Sequence, residues 1–240
     1  MNIDIKQDYP ELCAAVAQQV IDCVAAKPDA LICIAGGDTP LGVFAALVEA
    51  SNDGRVDFSR AFFLGLDEWL GLGRDDKGSC REMVWHHFFD KLPLRDEQIC
   101  FFDGLTNDPA AECQRVDAFI AAHQQIDIVV LGIGMNGHIG FNEPGVSAEN
   151  TCHVVDLDPV TQAVSVKYFG EPRDVKQGIS LGIKTLRAAK RMILMASGEK
   201  KSAIVAKTVQ TESSSDIPST LVKDHPNVTL MVDRAAGGQL

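Results

Sequence analysis

The tract Leu131-Gly132-Ile133-Gly134-Met135-Asn136-Gly137-His138-Ile139-Gly140-Phe141-Asn142-Glu143-Pro144-Gly145 sets a histidine among glycines directly after an apolar run. A neutral imidazole that titrates near neutral pH is a suitable proton shuttle, and a nearby carboxylate fixes which ring nitrogen carries the proton. No packing reason places a histidine there. His138, Glu143 and the neighbouring Asn136 therefore form the first candidate set. The competing reading is a histidine that only holds its own loop together. Residues 132–137 also match GxGxxG, with Asp156 downstream where a ribose-binding acid would stand. A dinucleotide site needs a helix directly after the glycines. Gly140, Pro144 and Gly145 make one improbable, so no nicotinamide cofactor is expected.

Three further segments carry unusual residues. Asp67 and Glu68 are consecutive acids at the end of the apolar run Phe62–Leu66. Their side chains diverge there, so one can face a site as general base while the other pairs elsewhere; helix capping or surface charge is the alternative. Gly36-Gly37-Asp38-Thr39-Pro40 joins a strand to a helix. Its glycines and the free N–H groups of the helix start suit a phosphate. A turn capped by Asp38 or Thr39 explains it equally well, and the Asp38 carboxylate would repel a phosphate. Ser197-Gly198-Glu199-Lys200-Lys201-Ser202 opens a helix with two lysines, against the helix dipole, which hints that one of them meets an anion. The spacing is not that of a Walker A loop.

These segments need elements to position them. Apolar runs predict buried strands over 30–35, 62–66, 96–101, 126–131, 151–157, 177–182, 190–196 and 227–232. Helical spacing or flanking breakers place helices over 10–26, 40–51, 80–91, 109–124, 159–169, 183–188 and 199–210, with Gly170-Glu171-Pro172 ending the fifth. Buried strands alternating with helices imply an α/β fold: a single doubly wound, mostly parallel, Rossmann-like sheet with helices on both faces. No linker or internal repeat divides the 240 residues, so one domain is expected. In such a sheet ligands sit beyond the carboxyl ends of the strands, where all four segments fall.

Composition narrows the function classes. Asp plus Glu is 33 against 22 Lys plus Arg, a formal charge of −11. That balance argues against nucleic acid and against anionic membrane. An anionic substrate would be held by a few local cations. No apolar stretch is long enough to span a bilayer, and the acidic, polar N-terminus is unlike a signal peptide. The seven cysteines are scattered without a CxxC pair, which fits small buried residues in a reducing cytoplasm. His86 and His87 face different ways on a helix and make a poor metal pair, so no metal is expected. Asn227-Val228-Thr229 matches a glycosylation sequon, which a cytoplasmic location would leave unused.

Taken together, Gly37-Asp38-Thr39-Pro40, Leu66-Asp67-Glu68-Trp69, the tract from Gly134 to Gly145 and Gly198-Glu199-Lys200-Lys201 resemble the glucosamine-6-phosphate deaminase / hexosamine-6-phosphate isomerase family in order and spacing. The resemblance implies a deaminating aldose–ketose isomerase, with an amino-sugar phosphate as substrate, no cofactor, and a homo-oligomeric assembly as an open expectation. It implies that Asp67 is the base moving a proton from C2 to C1. It implies that His138, oriented by Glu143 and Asn136, opens the sugar ring. The loop Gly36, Gly37, Asp38 and Thr39 would grip the phosphate with Lys201 and with Lys167, the latter on a lid around 157–175. Several features depart from the family pattern. Asp38 stands where a small residue is usual, and Gly36 where threonine is common. Lys167, Trp69 and Gly78-Ser79-Cys80 are closer to a galactosamine-6-phosphate branch. His153 and Val155 stand near the positions of an activator site's basic residues, so activation by an N-acetylated sugar phosphate is not expected. A lactonase-type hydrolase and a non-catalytic sugar-phosphate sensor are the alternatives.

Overall fold

Asp8 opens the first helix. Its carboxylate accepts from the Glu11 N–H at 2.9 Å and so satisfies a donor that the first turn leaves unpaired. Helix α1 (Tyr9–Ala26) then buries Leu12, Val16, Val20 and Val24, the stripe that the sequence spacing predicts. The computed structural model in which this is seen describes residues 1–169 and 173–240.

Strands β1 (Asn2–Lys6), β2 (Leu31–Ile34), β3 (Phe62–Gly65), β5 (Ile99–Cys100), β6 (Ile128–Gly132), β9 (Met192–Ala196) and β10 (Val228–Asp233) form a seven-stranded sheet. Their order is β1-β10-β9-β6-β2-β3-β5, and every pairing is parallel. The apolar runs follow from burial on two sides. Phe63 enters one core and its neighbour Leu64 enters the other. Helices α1, α2 (Leu41–Asn52) and α3 (Cys80–His87) cover the first face. Helices α4 (Pro109–Ala122), α6 (Ile183–Arg187) and α7 (Ser202–Gln210) cover the second. This is the doubly wound arrangement expected.

One part of that expectation needs correction: the strands do not all lie in a single sheet. Strands β4 (Asp67–Trp69), β8 (Gln177–Leu181) and β7 (Cys152–Asp156) form a separate three-stranded antiparallel sheet in the order β4-β8-β7. Helix α5 (Pro159–Phe169) is carried between β7 and β8. Asp67–Trp69, expected as a loop, is a strand because β8 supplies its pairing partners: Asp67 lies opposite Ser180 and Trp69 opposite Gly178.

Smaller differences have local causes. Residues 2–6, not assigned to an element from their acidic character, form the edge strand β1, which needs only one buried face; Ile3 and Ile5 are half exposed there. The strand expected over 96–101 shrinks to Ile99–Cys100 after a 3-10 turn at Asp96–Gln98. There the buried Gln98 amide donates to the Phe58 and Ala61 carbonyls at 2.9 and 2.7 Å, replacing backbone pairing. The expected break at residues 170–172 lies outside the described residues. Among those described, no helix is long and apolar enough to cross a membrane, and no group of three or more His, Cys, Asp or Glu side chains could hold a metal ion.

Candidate active site

A cavity of about 700 Å³ opens beyond the carboxyl ends of β2, β3, β6 and β9, the ends that an open parallel sheet offers a ligand. Asp67 reaches it because β4 alternates. Asp67 and Trp69 face the cavity, whereas Glu68 turns to the other side. There the Glu68 carboxylate accepts from the N–H groups of Trp69, Cys80 and Arg81 at 2.8, 2.9 and 2.8 Å. The two acids diverge as their position implied: one is bound to the start of α3 and the other is open to a ligand. Asp67 is only 7% exposed. Burial pushes its carboxyl up to about 7, against the opposing pull of His138 and the Cys80 thiol.

His138 lines the same cavity. After Gly137 the chain makes turns and a single bridge from Ile139 to Asn142, not a helix. The imidazole lies over Gly134, where a Cβ would overlap the ring. Its Nδ1 is 3.0 Å from the Thr161 hydroxyl and 3.4 Å from Glu143 Oε2, leaving Nε2 for a ligand. Asn136 binds this assembly at two points. Its amide donates to Glu143 Oε2 at 2.9 Å, and its carbonyl oxygen accepts from the His138 N–H at 3.1 Å. Burial pushes the Glu143 carboxyl up, but the bond and charge of His138, with Thr161 and Asn136, outweigh it and leave it below its ordinary value. Asn136 and Glu143 do not line the cavity; they stand behind the imidazole.

The other end of the cavity holds Gly36, Gly37, Asp38 and Thr39 with Ser197, Lys167, Lys200 and Lys201. Gly37 takes φ +97°, a conformation that penalises any side chain. The alternative of a side-chain-capped turn fails: Pro40 precedes α2, and no side chain caps it. Instead the Tyr9 hydroxyl pins the turn, donating to the Thr39 carbonyl at 3.0 Å and accepting from the Gly42 N–H at 2.9 Å. Lys201 donates to the Ile133 carbonyl at 2.5 Å. Burial, reinforced by the Lys167 charge, pushes the Lys201 ammonium down to about 8. Lys167, from α5, is paired with Asp38 at 2.6 Å, and their side chains are 50% and 61% exposed. The expected phosphate cation is thus engaged with the residue that departs from the phosphate-loop pattern.

Eight of the ten candidate residues therefore meet in one cavity, and the remaining two brace one of the eight. Sequence reasoning missed Thr161 and Tyr168 on α5, Ser197 at the end of β9 and Cys80 at the start of α3. Ser197 had a signal, a small polar residue between a buried strand and Gly198. Thr161 had none, because its role depends on where α5 is carried.

Comparison with known proteins identifies the family. The family model described as glucosamine-6-phosphate isomerases/6-phosphogluconolactonase matches residues 6–231. The chain is 36% identical to the glucosamine-6-phosphate deaminase of Halothermothrix orenii over 241 residues, covering all of both chains. It is 37% identical to that of Bacillus velezensis, over 99% of this chain and all of the relative. A solved monomeric glucosamine-6-phosphate deaminase superposes with a TM-score of 0.96 at 33% identity, again over the whole of both chains. A 6-phosphogluconolactonase from Thermotoga maritima shares the fold, with a TM-score of 0.78 at 18% identity over 97% of this chain and 99% of the other. With its matched segment running nearly end to end and full-length relatives above one-third identity, the chain belongs to the glucosamine-6-phosphate isomerase/6-phosphogluconolactonase family.

Proposed function

We propose that this protein converts glucosamine 6-phosphate to the ketohexose 6-phosphate and ammonia. The reading rests on one observation: the Asp67 carboxylate and the His138 imidazole line a single cavity whose far end carries the Gly36–Thr39 loop and Lys201. The relatives named as glucosamine-6-phosphate deaminases favour the gluco sugar over its C4 epimer. The free cysteines fit a reducing compartment, and we place the enzyme in the cytoplasm.

The chemistry follows from the positions. The phosphate lies against the loop, Lys201 and Lys167, which directs the sugar's first carbons toward Asp67. Nε2 of His138 takes the C1 hydroxyl proton and hands it to the ring oxygen as the bond between C1 and that oxygen breaks, and the ring opens to the aldehyde. Glu143 stabilises the charged imidazole. Asp67 then removes the C2 proton, giving an enolamine, and returns it to C1, leaving an iminium at C2. Water adds to C2, and ammonia departs from the carbinolamine. A carboxyl titrating near 7 has the basicity a general base needs near neutral pH, and α5 closes over the substrate as a lid.

The test is ammonia release by the purified protein from glucosamine 6-phosphate, with Asp67→Asn beside it. Wild type should release ammonia, and the variant should lose about 10²- to 10⁴-fold in kcat while still binding the sugar phosphate. Solvent deuterium should appear at C1 of the ketose. Lactone hydrolysis without ammonia, or binding without turnover, would overturn the proposal.

A further inference from the structure

Asp67 is poorly provided for as a buried carboxylate. Among the described residues, no backbone N–H, lysine or arginine donates to it. The charged and titratable groups facing it are His138 from the glycine-rich loop, Cys33 from β2, Cys80 from α3 and Glu68 from its own strand; its cross-strand neighbour Ser180 is neutral. The Cys80 thiol, which lines the same cavity, is the hydrogen-bond donor that draws its carboxyl down against burial.

Cys80 is held where it can do so. It is the first residue of α3, is 8% exposed, and is the one cysteine of the seven that lines the cavity. Its N–H is bound to Glu68 Oε1 at 2.9 Å. Its Cβ stands 3.1 Å from where a Cβ on Gly36 would be, so the side chain is wedged against the phosphate loop. The thiol feels both the Glu68 and the Asp67 carboxylates. Glu68 already accepts three backbone N–H groups, whereas Asp67 accepts none, so the single thiol proton belongs to Asp67. Burial and the two carboxylates push the thiol well above its ordinary range, which keeps it a donor.

We infer that Cys80 is a positioning residue for the base: its S–H donates to the Asp67 carboxylate and holds it turned toward the reacting carbons. This rests on the proposed role of Asp67. A thiol is a weaker donor than a hydroxyl, so a serine in its place should bind the same oxygen at least as tightly.

Cys80→Ala and Cys80→Ser test the inference, and neither side chain is larger than cysteine, so neither meets Gly36. In Cys80→Ala the acid limb of kcat/KM for ammonia release should move up by about one pH unit, the shift for one lost bond to a charged group. Its deficit against wild type should therefore be about fivefold larger at pH 6 than at pH 8. Cys80→Ser, which restores a donor, should return the limb to the wild-type position or below. A Cys80→Ala limb coincident with wild type, or a serine variant that moves with the alanine one, would overturn the inference. The carboxyl infrared band of Asp67, followed through the same titrations in the full-length protein without substrate, should show the same order. A wild-type protein that releases no ammonia would overturn the proposed function and leave that infrared comparison standing.

Discussion

The two ends of the cavity are built on opposite plans. At the proton-transfer end the groups stand on braced backbone, Asp67 buried and His138 mostly so. Asp67 sits on a paired strand, and His138 is fixed by Gly134, Thr161, Glu143 and Asn136. At the phosphate end, Lys167 and Asp38 are exposed and bonded to each other. Lys201 is half-buried there and donates to a carbonyl. The contrast reflects what each end must do. Proton transfer between adjacent carbons tolerates little displacement of the base, while a dianion must enter, be held by charge, and leave.

Breaking the proton-transfer end should cost more. Beyond Asp67 itself, Glu143→Gln removes the charge behind the imidazole and should lower kcat by about 10- to 100-fold, the usual loss for a group that orients another. KM should stay near wild type; a KM effect alone would put Glu143 outside ring opening. At the phosphate end, Lys201→Met should raise KM by about 10- to 100-fold, one charge-assisted bond, and leave kcat largely intact. The pH signs differ as well. Asp67 works ionised, so activity falls as pH drops through about 7. Lys201 grips only when protonated, so wild-type KM climbs as pH rises through about 8. That alkaline limb should vanish in Lys201→Met. The smallest effect is Asp38→Asn. An exposed pair is worth under about 1 kcal/mol, so freeing Lys167 should lower KM about two- to fourfold, less at high salt. An unchanged KM would show that Lys167 does not meet the phosphate.

Much of this architecture was legible in the sequence, for a physical reason. Strands buried on both faces must be apolar throughout, so β2, β6 and β9 stand out as runs. A histidine among glycines or an acid pair at the end of such a run has no packing excuse. Strand β4 was illegible because its three residues are Asp, Glu and Trp, and only β8, far along the chain, makes them a strand. That pairing decides which acid faces the cavity. Cys80 read as one of seven small buried residues, since nothing local distinguishes a cysteine beneath a carboxylate from one in a core. Thr161 depends on where α5 is carried, which no local spacing encodes.

Asp156 and Gln177 face each other across β7 and β8, one on each side of the segment that bears α5. The ladder itself therefore seals the root of that excursion, and its length is free to drift. Residues added to that stretch, outside Thr161, Lys167 and Tyr168, would reshape the cavity wall with the ladder intact. The anchorage of Asp67, borne by the next strand of the same small sheet, goes undisturbed.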